Sequence, residues 1–268
     1  NKFMIHVSEI LQINKFAKLH NGKNIFFCKT DFLSSLFENL YTHQEPSILI
    51  TGNSDYLITD DVISHKPKCI KKWFAQNAET ENELVTGIPM GIENHEQCII
   101  EGHGVGWPHA KKKIELLSNS HMGQPIKNIY ANFSLDTHSS RKGVYDICYS
   151  QNTITTSVSS NHREINKRSY EQYIDDILDH RMVVCPRGNG VDCHRVWEVL
   201  YLDRVPIIKR EMAMNYFEEL PIIYLDNWLE LTNMDMIIKK YNKVKNNSRK
   251  MLNFDSWKKL IQDSLIEK

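Results

Sequence analysis

The densest group of residues that could do chemistry follows a short apolar run at positions 181–185. The sequence continues as PRGNGVDCHRVWE over residues 186–198. Its two glycines let the backbone turn sharply and approach a ligand. A helix that starts after such a turn presents free N–H groups and a positive dipole end to an anion. Arg187 and Arg195 add forked donors that match phosphate oxygens, so this segment predicts a site for a phosphate-like anion.

The same segment also has a purely structural interpretation. Asp192 is placed to cap the helix N-terminus, and Arg195 and Glu198 are spaced to form a surface ion pair on that helix. In the functional interpretation, Glu198 instead accepts hydrogen bonds from a ribose diol. The motif does not decide between the two, because it matches neither the dinucleotide-binding pattern G-x-G-x-x-G nor a Walker loop.

The elements that position these residues are predicted from hydrophobic periodicity. Short apolar runs alternate with segments of helical period, as in βαβ units with a mostly parallel sheet. Strands are predicted at residues 25–28, 47–51, 70–75, 84–88, 128–133, 154–158, 181–185, 205–209 and 221–225. Helices are predicted at residues 8–20, 31–40 (with Asp31 as the cap), 108–117, 139–149, 169–178, 193–202, 212–220, 234–244 and 249–266.

A polar, turn-rich stretch over residues 119–125 interrupts this alternation, which then restarts. The interruption predicts two α/β halves with a boundary there. In open α/β sheets ligands bind at the carboxyl ends of the strands, so polar residues directly after predicted strands are the best candidates. The run Lys111-Lys112-Lys113 has instead the charge pattern of a solvated helix face.

Composition excludes several classes of protein. The chain has 268 residues, 33 Lys and Arg against 33 Asp and Glu, and 41% hydrophobic residues, which is unlike a disordered chain and gives no basic surplus for a nucleic-acid partner. Its longest apolar run is far shorter than the roughly 20 residues that span a membrane. Six cysteines without a C-x-x-C pair predict reduced thiols in a cytoplasmic compartment, with no zinc site. Because the sequence begins at Asn1, we expect an upstream segment.

Several spaced motifs resemble one enzyme family. The run CPRGNGVDCHRVWEVLYLDRVPIIKR, followed by LPIIYLDNW, resembles the donor-binding half of exostosin-like glycosyltransferases, where an R-G-x-G turn, an H-R-x-W-E helix start and an I-P-I-I strand recur in order. ILITGNSDY, KKWFAQN and VTGIPMGIE resemble the other half. The matching stretches span residues 48–230 of a chain that resembles a compact, soluble bacterial or viral relative. Asp203-Arg204 departs from the pattern, since relatives carry a small residue or glycine there.

The resemblance implies a GT-B fold, in which two Rossmann-like domains face each other across a cleft. Residues 1–125 would form the acceptor-side domain, residues 126–245 the nucleotide-sugar-binding domain, and residues 246–268 a helix packing back toward the first domain. It implies transfer of a sugar from a UDP-sugar, with inversion, to a hydroxyl of an oligosaccharide or glycan. UDP-xylose is our first choice of donor. The sequence contains no Asp-x-Asp pair, in agreement with a reaction that needs no metal or other cofactor.

Donor-side roles follow from the resemblance residue by residue. Arg187, Arg195 and the helix after Asp192 would stabilise the leaving diphosphate, and Glu198 would bind the ribose. The other donor-side candidates are Ser134, Arg141, Gly188, Asn189, Gly190 and His194. For Arg141 we favour the alternative of an exposed helix residue.

Inversion by single displacement needs a general base that takes the proton of the acceptor hydroxyl. We choose Asp55, which directly follows the predicted strand at 47–51, with equal weight for an Asx turn that only closes the loop. Its rivals as base are Glu93, His103 and His109. The acceptor-side candidates are Asn53, Asn77, Glu93, His103 and, as a platform for a sugar ring, Trp107.

Two other functions stay open at this point. One is a nucleotide-sugar or carbohydrate-binding module without turnover. The other is a nucleotide-sugar epimerase, which shares a two-domain architecture but lacks the R-G-x-G to H-R-x-W-E arrangement.

Overall fold

The computed structural model describes residues 6–94, 110–119, 123–157 and 169–265. Candidates His103, Trp107 and His109 lie outside these ranges. In the described part of the chain, no helix combines the length and the apolar character that crossing a bilayer requires.

The first half is built on a four-stranded parallel sheet in the order β1-β2-β4-β6. Its strands are β1 (Ile25–Lys29), β2 (Ser47–Gly52), β4 (Ile70–Ala75) and β6 (Val85–Gly87). A short parallel pair, β3 (Ile58–Thr59) with β5 (Ala78–Glu79), lies beside it. The helices are α1 (Ile13–Ala17), α2 (Leu33–Leu40), α3 (Asp60–Ser64) and α4 (Ala110–Asn119).

The second half is built on a five-stranded parallel sheet in the order β11-β10-β9-β7-β8. Its strands are β7 (Lys127–Ala131), β8 (Ile154–Thr156), β9 (His180–Val184), β10 (Val205–Lys209) and β11 (Ile223–Leu225). The helices are α5 (Arg141–Tyr149), α6 (Tyr170–Asp179), α7 (His194–Tyr201), α8 (Met212–Asn215), α9 (Met234–Val244) and α10 (Phe254–Asp263). Both sheets are therefore of the α/β type, as the alternating pattern predicts.

The strands are buried because helices cover both sheet faces. Every residue of β2 is buried, which is the pattern of a central strand in a covered parallel sheet. One apolar cluster continues from the first sheet into the second and includes Phe27, Phe74, Val183 and Trp197. The two halves thus share buried apolar surface at the level of the sheets.

The last helix packs on the first one. Phe254 lies edge-on to Phe16 with ring centroids 5.1 Å apart, and Trp257 lies 6.4 Å from the same ring. Burying an aromatic side chain of this kind stabilises the fold by about 1.5–3 kcal/mol. The return of α10 to α1 brings both ends of the described chain onto the first half.

Three local predictions are wrong. The helix predicted at 8–20 is shortened to α1, because the backbones of Ile10 and Gln12 form bridges to Asn253 and Gly91 instead. Asp31 does not cap α2; it lies in a 3-10 turn before the helix and pairs with Lys29. The helix predicted at 212–220 ends at Asn215.

Candidate active site

A cavity of about 610 Å³ lies beyond the carboxyl ends of β9 and β10. Arg187 and Glu211 line it from the segments after those strands, Trp228 lies in its wall, and Glu79 reaches it from the first half. A volume of this size fits a small organic ligand. The position is the one expected for a ligand in an open α/β sheet.

The turn after β9 packs directly against the first half of the chain. A Cβ atom added at Gly190 would lie 3.1 Å from Asp55 Oδ1 and 3.1 Å from Asn77 Nδ2, so a side chain there would have to displace these atoms by a few tenths of an ångström. Arg187 bends over the turn, since its Nη2 donates to the Asn189 carbonyl at 2.9 Å and its Nη1 pairs with Glu211 at 3.1 Å. Asp55 therefore faces the R-G-N-G turn from the opposite side.

Asp192 and Asn77 join the two halves. The Asn77 amide oxygen accepts from the Asp192 N–H at 3.0 Å, and its nitrogen donates to the Ser54 carbonyl at 3.1 Å. The Asp192 carboxylate accepts from the Met90 N–H at 2.8 Å and from the Trp197 indole at 2.7 Å. The prediction of Asp192 as N-cap is wrong, because Cys193 occupies the N-cap position of α7. Burial raises the pKa of Asp192 to about 6.

Two further predicted site residues fix loops of the first half. His194 Nδ1 lies 2.7 Å from the Gly91 carbonyl, and because a carbonyl only accepts, Nδ1 carries the proton. Gly91 has φ +69° and stands so close to Leu11 that an added Cβ would overlap its carbonyl. Asn53 also has a left-handed backbone, with φ 58°, and its N–H donates to Gln76 at 2.7 Å.

Arg141 is a buried structural residue, so its predicted exposure is wrong. Its guanidinium donates to the carbonyls of Ser134, Pro186 and Arg187 at 2.9, 3.2 and 2.8 Å. Burial, followed by the charge of Arg195, lowers the pKa of Arg141 to about 10. Arg141 thus ties the segment after β7 to the turn after β9.

Arg195 differs from Arg141 in that not all of its N–H groups form hydrogen bonds with the described residues. It is half-buried in the first turn of α7, and its Nε is buried with no hydrogen-bond partner among the described residues. Burial lowers its pKa, but the nearby Tyr173, Cys193, Cys185 and Glu198 outweigh that effect and raise the pKa above its ordinary value. Arg195 therefore keeps its positive charge at any physiological pH.

Glu198 lies in a buried ion group rather than at the surface. Its Oε1 is 2.6 Å from Lys113 Nζ, and its Oε2 accepts from the Tyr173 hydroxyl at 2.9 Å. Lys113 also pairs with Glu93. Burial alone would raise the pKa of Glu198, but Lys113 and Arg195 lower it overall, so the group is ionised. The predicted surface pair of Arg195 with Glu198 and the predicted solvation of Lys113 are both wrong.

One family model matches the chain. It is described as the RXYLT1 C-terminal domain, and it matches residues 115–267, more than half of the sequence. The chain belongs to this family. The RXYLT1 C-terminal domain family is a glycosyltransferase family, and the match includes all of α7 and the residues on both sides of it. The exostosin-like resemblance itself stays a prediction.

Solved structures give weaker likenesses. A crystal structure of an alpha1,3-fucosyltransferase is similar over 96% of this chain and 85% of that chain, with 10% identity and a TM-score of 0.48. The wall teichoic acid polymerase TagF is similar over 95% of this chain and 93% of that chain, with 14% identity and a TM-score of 0.33. Comparison with curated proteins finds no matching relative.

Sequence reasoning missed some residues of this candidate site. Lys113 lies in a run of three lysines, and nothing in the run distinguishes it from its exposed neighbours. Tyr173 lies on a helix, where the strand-end rule gives it no weight. Glu211 could have been found, because it follows the strand at 205–209 by two residues. In the described ranges, no cluster of three His, Cys, Asp or Glu side chains could hold a metal ion.

Proposed function

We propose that this chain transfers a sugar from a nucleotide-sugar donor to a hydroxyl group of a glycan. The observation that carries the proposal is Arg195, a half-buried cation whose Nε has no partner among the described residues. It lies where a helix N-terminus follows a glycine turn. A diphosphate that leaves in such a position is stabilised by the guanidinium and by the helix end. Membership of the RXYLT1 C-terminal domain family supports this reaction class.

The proposed donor site is the cavity beyond β9 and β10. Val196, the residue after Arg195 on α7, lines that cavity, so the cavity lies beside the first turn of this helix. Trp228 and Met212 offer apolar wall, and Arg187 with Glu211 offers polar groups. This mixture suits a nucleotide. The proposed donor is a UDP-sugar, with UDP-xylose as the first to test, and the reaction is proposed to need no metal.

The proposed general base is Asp55. Its carboxylate is exposed, lies beside Gly190, and forms no hydrogen bond or ion pair with the described residues. In the proposed step the acceptor hydroxyl attacks the anomeric carbon, its proton moves to Asp55, and the bond from that carbon to the diphosphate oxygen breaks. Attack from the side opposite the leaving group inverts the anomeric carbon. The diphosphate leaves with its charge held by Arg195.

The acceptor would approach from the first half of the chain. Asn53, Glu93, His103 and Trp107 stay acceptor-side proposals, and a cleft between residues 1–125 and 126–245 is the proposed entrance. Asn77 is better assigned as a positioning residue, because both ends of its amide already bind protein atoms. The same holds for Glu198, whose two oxygens are already engaged.

The test is a transfer and hydrolysis assay with a panel of UDP-sugars, together with a binding measurement for each. Arg195→Ala should bind the preferred donor more weakly and reduce turnover, whereas Lys259→Ala, an exposed charge on α10, should change neither. Asp55→Asn should abolish transfer and keep donor binding. Donor binding by the wild-type chain without transfer or hydrolysis of any donor would overturn the proposal in favour of a binding module.

A further inference from the structure

We propose that a second cavity, at the amino ends of β9 and β10, binds a small ligand that carries a phosphate group. The cavity measures about 460 Å³. Four cationic side chains line it: Arg181, Arg204, Lys245 and Arg249. Among the described residues of the lining, Asp203 supplies the single carboxylate. The cavity lies at the opposite end of the sheet from the proposed donor site, and the inference does not depend on the proposed function.

Arg204 supplies a buried charge whose hydrogen bonds within the described part of the chain all go to neutral carbonyls. Its guanidinium donates to the carbonyls of Leu178 and Gly123, each at 2.7 Å, and more weakly to those of Leu202 and Asp203. Neutral carbonyls satisfy the N–H groups but do not cancel the charge. With four cationic side chains against one carboxylate among the described lining residues, the wall of the cavity carries a net positive charge that favours an anion.

Arg249 supplies donors that are still available. Its Nη2 pairs with Asp203 Oδ1 at 2.8 Å, while its Nε is buried without a hydrogen-bond partner among the described residues. A guanidinium can bind two oxyanions through different edges of its fork. Arg249 lines the cavity and its Nη1 forms no hydrogen bond with the described residues, so Nη1 can donate to a second oxyanion besides Asp203.

The two segments that connect the halves meet at this cavity. Residues 123–125 lead into β7, and residues 245–249 lead from α9 toward α10, and both line it. The Asp203-Arg204 turn holds them, since Arg204 bonds to Gly123 and Asp203 pairs with Arg249. This dipeptide is also the point where the sequence departs from the exostosin-like pattern. A ligand bound there would contact both connecting segments at once.

The shape and the charge specify the ligand class. Guanidinium groups match phosphate oxygens in pairs, and a cavity of this volume takes a small organic molecule rather than a bare ion. Tyr241 and Ile238 add an aromatic ring and an aliphatic wall. A phosphomonoester with a compact organic body fits these features.

The experiment is a calorimetric titration of the full chain with phenyl phosphate. Wild type should bind it saturably. The double variant Lys245→Gln with Arg249→Gln should bind about tenfold more weakly or worse, because two charge-assisted contacts are lost. Lys243→Gln, at an exposed lysine near the end of α9 and just before the two substituted positions, should bind like wild type. Arg195→Ala should also retain this binding event, which separates it from the proposed donor site.

Arg204 is left unchanged in the test because its removal would strand several carbonyls and impair folding. If the double variant unfolds, Arg181→Gln replaces it, since Arg181 is exposed and its side chain bonds only to Asn128 among the described residues. Two results would overturn the inference. One is no saturable binding by wild type; the other is binding that disappears in Arg195→Ala but persists in the cavity variants.

Discussion

Two arginines lie at each end of the second sheet, and the two members of each pair differ in what their N–H groups contact. At the carboxyl end, Arg141 donates only to backbone carbonyls, while Arg195 keeps a buried Nε without a partner in the described part of the chain. At the amino end, Arg204 and Arg249 differ in the same way. What an arginine's donors contact, rather than its position in a motif, distinguishes a structural role from a ligand-binding one.

The two ends differ in their surroundings. The carboxyl end has a glycine turn, a helix N-terminus and a loop carboxylate, Asp55, from the first half. The amino end has two connecting segments, and there Asp203 forms an ion pair with Arg249. The first set contains the groups that the proposed transfer reaction uses, whereas the second is proposed to bind a ligand only.

The largest expected effect tests the ion group that neighbours Arg195. Lys113→Met would leave the buried Glu198 and the half-buried Glu93 without their cation, which costs about 3–5 kcal/mol of unfolding free energy. Lys112→Met is the matched control, because Lys112 pairs with Glu171 in solvent and its loss should leave the unfolding free energy close to that of wild type. Urea denaturation measures both. Equal losses would show that the ion group is not a buried one.

The next effect tests the assignment of Arg141. Arg141→Ala removes three charge-assisted hydrogen bonds to carbonyls, so we expect it to lower the unfolding free energy by about 2–4 kcal/mol. Arg195→Ala should lower it by less than about 1 kcal/mol, because its Nε has no partner to lose among the described residues. If Arg195→Ala lost as much stability as Arg141→Ala, Arg195 would also be a structural residue and the distinction between the two would be wrong.

A pH-dependent effect tests the contacts of Asp192, which join the two halves at the carboxyl end of the second sheet. Asp192→Asn replaces a carboxylate that accepts two N–H groups, which costs about 1–3 kcal/mol. Burial raises the pKa of Asp192 from 3.8 to about 6, so the folded chain binds this proton more tightly than the unfolded chain. The resulting stabilisation is complete below about pH 4 and is lost as the pH rises through about 6.

The difference between wild type and Asp192→Asn should therefore be larger near pH 4.5 than near pH 8, because asparagine does not titrate. Urea denaturation at the two pH values checks this, with the exposed Asp263→Asn as the control. A difference that stays constant with pH would contradict a titrating, buried carboxyl at this position.

The smallest expected effect concerns the amino end. Arg249→Gln loses one ion pair with Asp203, whose side chain is 52% exposed, so the unfolding free energy should fall by no more than about 1 kcal/mol. Thermal unfolding without added anion measures it. A loss of several kcal/mol would mean that Arg249 is structural, like Arg204, and the two ends would no longer be comparable.

The sequence was informative where one element follows another directly. The strand, turn and helix around residues 181–202 are all present. The strand-end rule selected the loop that carries Asp55, and in the structure this loop lies against the R-G-N-G turn. Each of these elements is formed by consecutive residues of the chain. Hydrophobic periodicity was therefore sufficient to find them.

What could not be predicted depends on contacts between distant residues. Lys113 is buried because it meets Glu198, 85 positions away, and Arg141 is buried because the turn after β9 folds over it. The helix predicted at 8–20 is interrupted by bridges to residues far along the chain. The two-residue strands β3 and β5 are too short to show a period. None of these contacts has a signature in the local sequence.

The most direct test of the central claim measures two properties of Arg195→Ala in the same preparation. If Arg195 serves a leaving diphosphate, its removal should reduce kcat/KM for sugar transfer about 10²- to 10³-fold, while the unfolding free energy stays within about 1 kcal/mol of wild type. Unchanged kcat/KM would contradict the account. So would a loss of activity that only accompanies an equivalent loss of stability.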